Sequence, residues 1–501
     1  MENRFRKLKW NSIFALGYQC ILVVTGLILP RCFLYFYGSE VNGLIASIAQ
    51  FLAFVNLCDL GISAVVSSAY YKPLAERDVY QVSKIFVFSK RFFKTIGCIL
   101  LGYIVVLLVV YPTYINETFD YWFTFTLIAA MGISQLGQYF IGVTYQLLLN
   151  ADQKSYVQLV VNGSTLICNT VVSVLLMICG ANVQTVKLVT SLIYLLRPIL
   201  MRWYVTKHYQ IDHSVPVDSS VVTQKKSGLI QHIAYVLYEN TDVMVLTVFS
   251  TLKNVSVYSV YTLVTNSIKQ IIAAATTGVQ ALLGNMIANK EQETLKSFFS
   301  FYYWGVHTIS ALLYTITGLL IVPFVRVYTS NITDADYNVP IFAILITVAY
   351  FMSSIRNCNY ALIRAAGHYK KTQIASMVEA ALNLAVSVIC VFRFGLVGVA
   401  IGTVIATLFF VIYEMIYFSQ NIVFIALKQF LKHFITDAAG SCICVVIALQ
   451  IQIFKGTIGS WLLQAVLVSV VCGGVYLIIQ LIFYRDNLVM LKTKLTQKIK
   501  R

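Results

Sequence analysis

The residues with the strongest chemical claim are charges inside long apolar runs. Arg31, Asp59, Asp242, Lys269 and Arg356 fall near the middle of such runs, and Glu239 lies beside Asp242. A charged side chain at the centre of a bilayer costs roughly 2.5–3.5 kcal/mol on insertion scales, so it is expected to face a cavity or a partner and to mark a pathway. Three of these groups are cations. Arg31, Lys269 and Arg356 aimed at one cavity would suit an anionic headgroup such as a phosphate, which arginine grips bidentately. Asp59 and Asp242 either pair with these cations or bind a coupling proton or sodium ion; residue types alone leave both open. Glu239 belongs to the same acidic set. Arg197, Arg364, Glu379, Arg393 and Glu414 are read as lying near helix ends, where long side chains reach the interface.

These groups sit on polar stripes. Asn56, Asp59, Ser63, Ser67 and Tyr70 share one helical face, as do Gln135, Gln138, Tyr139, Gly142 and Gln146. Tyr238, Glu239 and Asp242 form a third set, Thr262, Asn266 and Lys269 a fourth, and Ser353, Arg356 and Tyr360 a fifth. Within hydrocarbon each stripe must meet protein or water. For Ser, Thr and Asn, plain interhelical bonding is the simpler account.

The elements that must carry these stripes are membrane helices. The chain has 501 residues, of which 59% are hydrophobic and only 11% charged, against about 25% charged in soluble domains. Continuous apolar runs recur from Trp10 to Tyr484, each long enough for the roughly 20 residues that span a bilayer. They do not alternate apolar with polar, which argues against a β-barrel. We read an all-α polytopic membrane protein with about fourteen transmembrane helices. The expected organisation is an N-terminal six-helix lobe at 1–205, a cytoplasmic linker at 206–228, a second six-helix lobe at 229–418, and two extra helices with a basic tail at 419–501. No cleavable signal peptide is expected, because the first apolar segment is too long for one.

The net charge of +17 does not point to nucleic acid, since most Lys and Arg fall in alternate loops, as the positive-inside rule requires. Both termini are then cytoplasmic. The loops are short, so function must lie within or between helices. The eleven cysteines lie in apolar segments, and none stands at metal-ligand spacing from a histidine. No phosphate-binding G-x-x-x-x-G-K-[ST] loop, Gly-x-Ser-x-Gly elbow or His-Glu-x-x-His helix is present. No enzyme activity and no cofactor are expected.

A faint repeat runs through the chain. Ala151 precedes one helix as Ala366 precedes another, 366 − 151 = 215 residues on; Ser173 in NTVVSV matches Ser387 in NLAVSV, 387 − 173 = 214 residues on. A helical unit used twice in the same direction fits transporters built from parallel repeats.

Several segments together resemble a known family. They are PRCFLYFYGSEVNGL at Pro30–Leu44, LCDLGISAVVSSAYYKPLAERD at Leu57–Asp78, YENTDVMVLTVFSTLKNVSVYSVY at Tyr238–Tyr261, LLGNMIA at Leu282–Ala288 and GLVGVAIG at Gly395–Gly402. In this order they resemble the Wzx-type polysaccharide flippases of bacteria, which export O-antigen and capsule units and belong with MATE multidrug exporters and lipid II flippases in the MOP superfamily. The resemblance implies a substrate, an undecaprenyl-pyrophosphate-linked oligosaccharide moved across the bacterial cytoplasmic membrane. It also implies two six-helix lobes around a cationic cavity, alternating access, and other polysaccharide-assembly proteins as possible partners. By position Arg31 is the best match to a pyrophosphate-binding arginine, supported by Lys269 and Arg356, and Asp59 and Asp242 match acidic positions of the family. A cation-coupled MATE-type exporter is the competing reading, although cations here are at least as numerous as acids. A membrane polysaccharide polymerase is less favoured, for want of a sizeable external loop.

Overall fold

The computed structural model describes residues 2–59, 62–115, 117–216, 229–276, 279–451 and 456–491. Every regular element among them is helical. The chain divides into two compact units, Met1–Val236 and Leu237–Arg501. The expected linker at 206–228 lies partly outside the described residues.

The first unit holds α1 (Glu2–Ala53), α2 (Ile62–Glu76), α3 (Val79–Ile115), α4 (Tyr121–Gly137), α5 (Val143–Ala151), α6 (Ser155–Ile178) and α7 (Val183–His208). The first two expected segments run together as α1 and join at Gly38, whose φ of 81° is a left-handed value that glycine adopts without steric cost. A 3₁₀ turn, Phe54–Asp59, then separates α1 from α2. A five-residue π turn, Gln138–Gly142, joins α4 to α5. Side-chain caps fix two helix starts. Asp120 accepts from the Trp122 amide at 3.0 Å, and Asn182 accepts from the Thr185 amide at 2.9 Å, which satisfies donors that a helix start leaves unpaired. At the foot of α5, α6 and α7, Tyr209 donates to Asp152 at 2.6 Å while Lys154 reaches that carboxylate at 2.9 Å. Burial, and then the bond to Asp152, push the Tyr209 phenol well above its ordinary range.

The second unit contains most of α8 (Leu229–Phe249), then α9 (Leu252–Ala275), α10 (Val279–Ala288), α11 (Gln292–Tyr328), α12 (Pro340–Ala366), α13 (Tyr369–Phe394), α14 (Leu396–Asn421), α15 (Leu427–Ala448) and α16 (Ile458–Phe483). The helices α13 and α14 pack most closely. A Cβ on Gly398 would stand 2.3 Å from the Cys390 carbonyl oxygen, and one on Gly402 would stand 2.1 Å from Ser387 Oγ. Small residues four apart let two helices approach in this way, which gives the GLVGVAIG segment its structural purpose.

Eleven helical segments among the described residues are long and apolar enough to cross a membrane. Each expected span coincides with helix. The seventh and eighth, α8 with the interrupted α9–α10 pair, carry polar stripes and are not among the eleven. The chain is a multi-pass all-α membrane protein.

Candidate functional site

Five helices of the second unit bring its charges together. Lys269 on α9 meets Glu239 on α8, Nζ to Oε1 at 2.7 Å, with 12% and 31% of the two side chains exposed. The Lys269 ammonium also lies 5.6 Å from the centroid of the Tyr350 ring. Arg356 on α12 pairs with Glu379 on α13 at 2.9 Å, and here the side chains are 5% and 0% exposed. Its guanidinium lies over Tyr238 at 4.6 Å and Phe410 at 5.0 Å. Glu414 on α14 is buried in the same region, accepts from Asn359 Nδ2 at 3.0 Å and feels the charge of Arg356.

Asp242 is held differently. Its carboxylate accepts from Thr403 at 2.7 Å, Tyr258 at 2.9 Å and Asn383 at 3.1 Å, and among the described residues it forms no salt bridge. Three neutral donors drawn from α9, α13 and α14 therefore satisfy it.

Of the proposed cations, Lys269 and Arg356 thus lie in one unit, each with a glutamate. Arg31 belongs to the other unit, half-buried on α1 one residue after Pro30. Asp59 closes the 3₁₀ turn; its side chain lies outside the described residues. Glu379 and Glu414 depart from expectation. Expected near helix ends, both are fully buried, because they face Arg356 and Asn359 on the neighbouring α12 and do not reach the interface. Arg356 stands 379 − 356 = 23 residues before Glu379 and 414 − 356 = 58 before Glu414, so there is no local signal for the pairing; a search for acids matching each buried cation in number would find it.

The first unit contains a cavity of about 440 Å³. Two cations that the sequence reading did not select line it. Lys187 has its ammonium 4.1 Å from the centroid of Phe33. Arg197, expected at an interface, instead donates from Nε to Thr165 at 2.8 Å and lies 3.8 Å over Tyr194. The signal was present in the spacing: Lys187, Thr190, Ser191, Tyr194 and Arg197 fall on one face of α7.

The repeat has a structural counterpart. Ser173 donates to Asn169 Oδ1 at 3.2 Å on α6, and Ser387 donates to Asn383 Oδ1 at 3.1 Å on α13. Both residues of the pair recur 214 positions later (383 − 169 and 387 − 173).

Comparison with known proteins gives the fold a name. The lipid II flippase MurJ, in an inward closed conformation, superposes with a TM-score of 0.72 over 95% of this chain and 98% of its own, at 15% identity. The chain shares its fold with that protein. The fold is also shared by an inward-facing multidrug resistance MATE transporter of the MOP superfamily, with a TM-score of 0.56 over 82% of this chain and 94% of its own at 13% identity. The eukaryotic MATE transporter AtDTX14 gives 0.51 over 85% and 98% at 12% identity. No protein-family model and no curated protein matches the sequence.

Proposed function

We propose that the chain is a Wzx-type flippase of the MOP superfamily. It moves undecaprenyl-pyrophosphate-linked oligosaccharide units across the bacterial cytoplasmic membrane by alternating access, with both termini cytoplasmic. The observation that carries this reading is the extent of the fold likeness: the lipid II flippase accounts for 95% of the chain, the two MATE transporters for 82% and 85%. In this reading the working lobes are 1–205 and 229–418, and 419–501 is an addition to them. Lys269 meets the pyrophosphate in the second unit, and Arg31 is the phosphate-binding candidate of the first. Lys269 is suited to this because its bond to Glu239 is partly open, so an incoming phosphate can take the carboxylate's place. Arg356 is enclosed with Glu379 and acts by holding α12 against α13. Asp242 is the coupling group, free of any competing cation among the described residues, and Asp59 is a second candidate for that role.

Deletion of the gene in a strain without a second flippase tests this. Surface polysaccharide should disappear and lipid-linked repeat units should accumulate on the cytoplasmic face; unchanged surface polysaccharide overturns the reading. Arg31→Ala should lower export, with Arg31→Lys restoring only part because a lysine cannot make the bidentate contact.

The three neutral donors around Asp242 also suit a cation-coupled exporter of small molecules. A deletion that raises drug susceptibility and leaves polysaccharide unchanged would select that reading.

A further inference from the structure

The cavity of the first unit has chemistry that the pyrophosphate does not explain. Its volume, about 440 Å³, lies within the usual range of small-molecule sites. Five carboxamides line it: Gln135, Gln138, Gln146, Gln158 and Asn162. Lys187 and Arg197 line it too, and no carboxylate is among the described lining residues.

These two chemistries together define a ligand. A carboxamide presents an acceptor oxygen as well as donors. A pyrophosphate at neutral pH is almost wholly an acceptor, and offers no donor to amide oxygens that face the cavity. A sugar ring carries hydroxyls that donate and accept at once. Two cations with no carboxylate among the described lining residues call for negative charge from the ligand. Ten residues along α7 set Lys187 and Arg197 about 15 Å apart, farther than one sugar ring reaches.

The backbone is arranged for this purpose. In a regular helix, residues eight apart point about 80° away from each other. The π turn Gln138–Gly142 inserts one extra residue, so Gln138 and Gln146 stand two turns apart on one face, and Gln138 Nε2 donates to Gln146 Oε1 at 3.0 Å. Such wide turns cost helix regularity and are frequent at functional sites. Gly142 makes the arrangement possible, since a Cβ there would stand 2.5 Å from Gln138 Oε1.

We propose that this cavity is a carbohydrate subsite that selects repeat units bearing carboxylate sugars, a uronic acid at each cation, with the carboxamides reading the hydroxyls between. It rests on the flippase reading above and names the substrate class that reading leaves open.

The test uses the full-length protein in lipid nanodiscs. The probes are a tetrasaccharide of alternating glucuronate and N-acetylglucosamine, its carboxyl-reduced neutral counterpart, and inorganic pyrophosphate. The acidic tetrasaccharide should bind about ten-fold tighter than the neutral one. Arg197→Gln and Lys187→Gln should each remove most of that preference, and Gln138→Leu should weaken both sugars alike. Lys187→Gln, which breaks no hydrogen bond to the protein, gives the reading should Arg197→Gln fail to fold. Equal binding of the two sugars, no binding of either, a preference that survives Lys187→Gln, or displacement of the sugar by pyrophosphate overturns the proposal. Failure of the flippase reading looks different: the deletion strain keeps its polysaccharide, whatever the tetrasaccharide does.

Discussion

The first unit keeps two cations, Lys187 and Arg197, against amides, hydroxyls and aromatic rings, whereas the second gives Lys269 and Arg356 a glutamate each. The same local motif shows the divergence in miniature. On α6, Asn169 passes its amide to the Tyr194 phenol at 3.1 Å; on α13, Asn383 passes its own to the Asp242 carboxylate at 3.1 Å. A repeated scaffold thus supports a neutral polar wall in one copy and an ionic core in the other. Charges that are neutralised within the protein hold helices together. On the proposal above, the cations without a carboxylate partner among the described residues meet a ligand.

Single substitutions at five positions would break or sharpen this contrast. Arg356→Ala leaves Glu379 and Glu414 buried without their cation and should cost roughly 3–5 kcal/mol, read as a collapse of yield and of the melting temperature in detergent. The double change Arg356→Met with Glu379→Met should recover most of it. An Arg356→Ala protein that melts like the wild type would remove the structural role assigned to this pair.

Arg197→Ala should behave in the opposite sense. Stability falls less than for Arg356, by about 1.5–3 kcal/mol, the net value of its charged bond to Thr165. Export in a complementation assay should fall about 10- to 100-fold, the value of a lost charged hydrogen bond of about 1.5–3 kcal/mol. A variant with normal export would reduce the cation to a packing group.

The twin asparagines give a finer comparison. Asn383→Ala takes a donor from a buried carboxylate and should destabilise by about 1.5–3 kcal/mol, while Asn169→Ala takes one from a phenol and should cost about 0.5–1.5 kcal/mol. Equal costs by chemical denaturation would mean that the two copies do not differ as described. The smallest effect on stability belongs to Lys269→Ala, within about 1 kcal/mol because its pair is partly open; its effect should appear in export.

The helices and their order were legible in the sequence, because twenty-residue apolar runs admit no other structure in a bilayer. The break at Gly38 has a local signal, a glycine beside Ser39 and Glu40, and its positive φ supplies the change of direction. The polar stripe through Gln135, Gln138 and Gln146 was read correctly as one face, although for an incomplete reason, since the π turn that aligns the last of them leaves no mark in hydropathy. The second unit was harder. Glu379 and Glu414 were assigned to helix ends by counting from polar loops, and their partners stand on the neighbouring α12. Lys187 and Arg197 were passed over because a lone basic residue in a span resembles an interfacial anchor until neighbouring helices are in place. Pairing is a property of several helices at once, and hydrophobic periodicity speaks for one at a time.

The wide turn at Gln138–Gly142 also governs how this helix is to be aligned with others. A relative whose helix is regular there will match α4 residue for residue and then fall one position out of step through α5 unless a single-residue gap is opened. Roles transferred to Thr144 or Gln146 without that gap would land about 100° around the helix from where they belong.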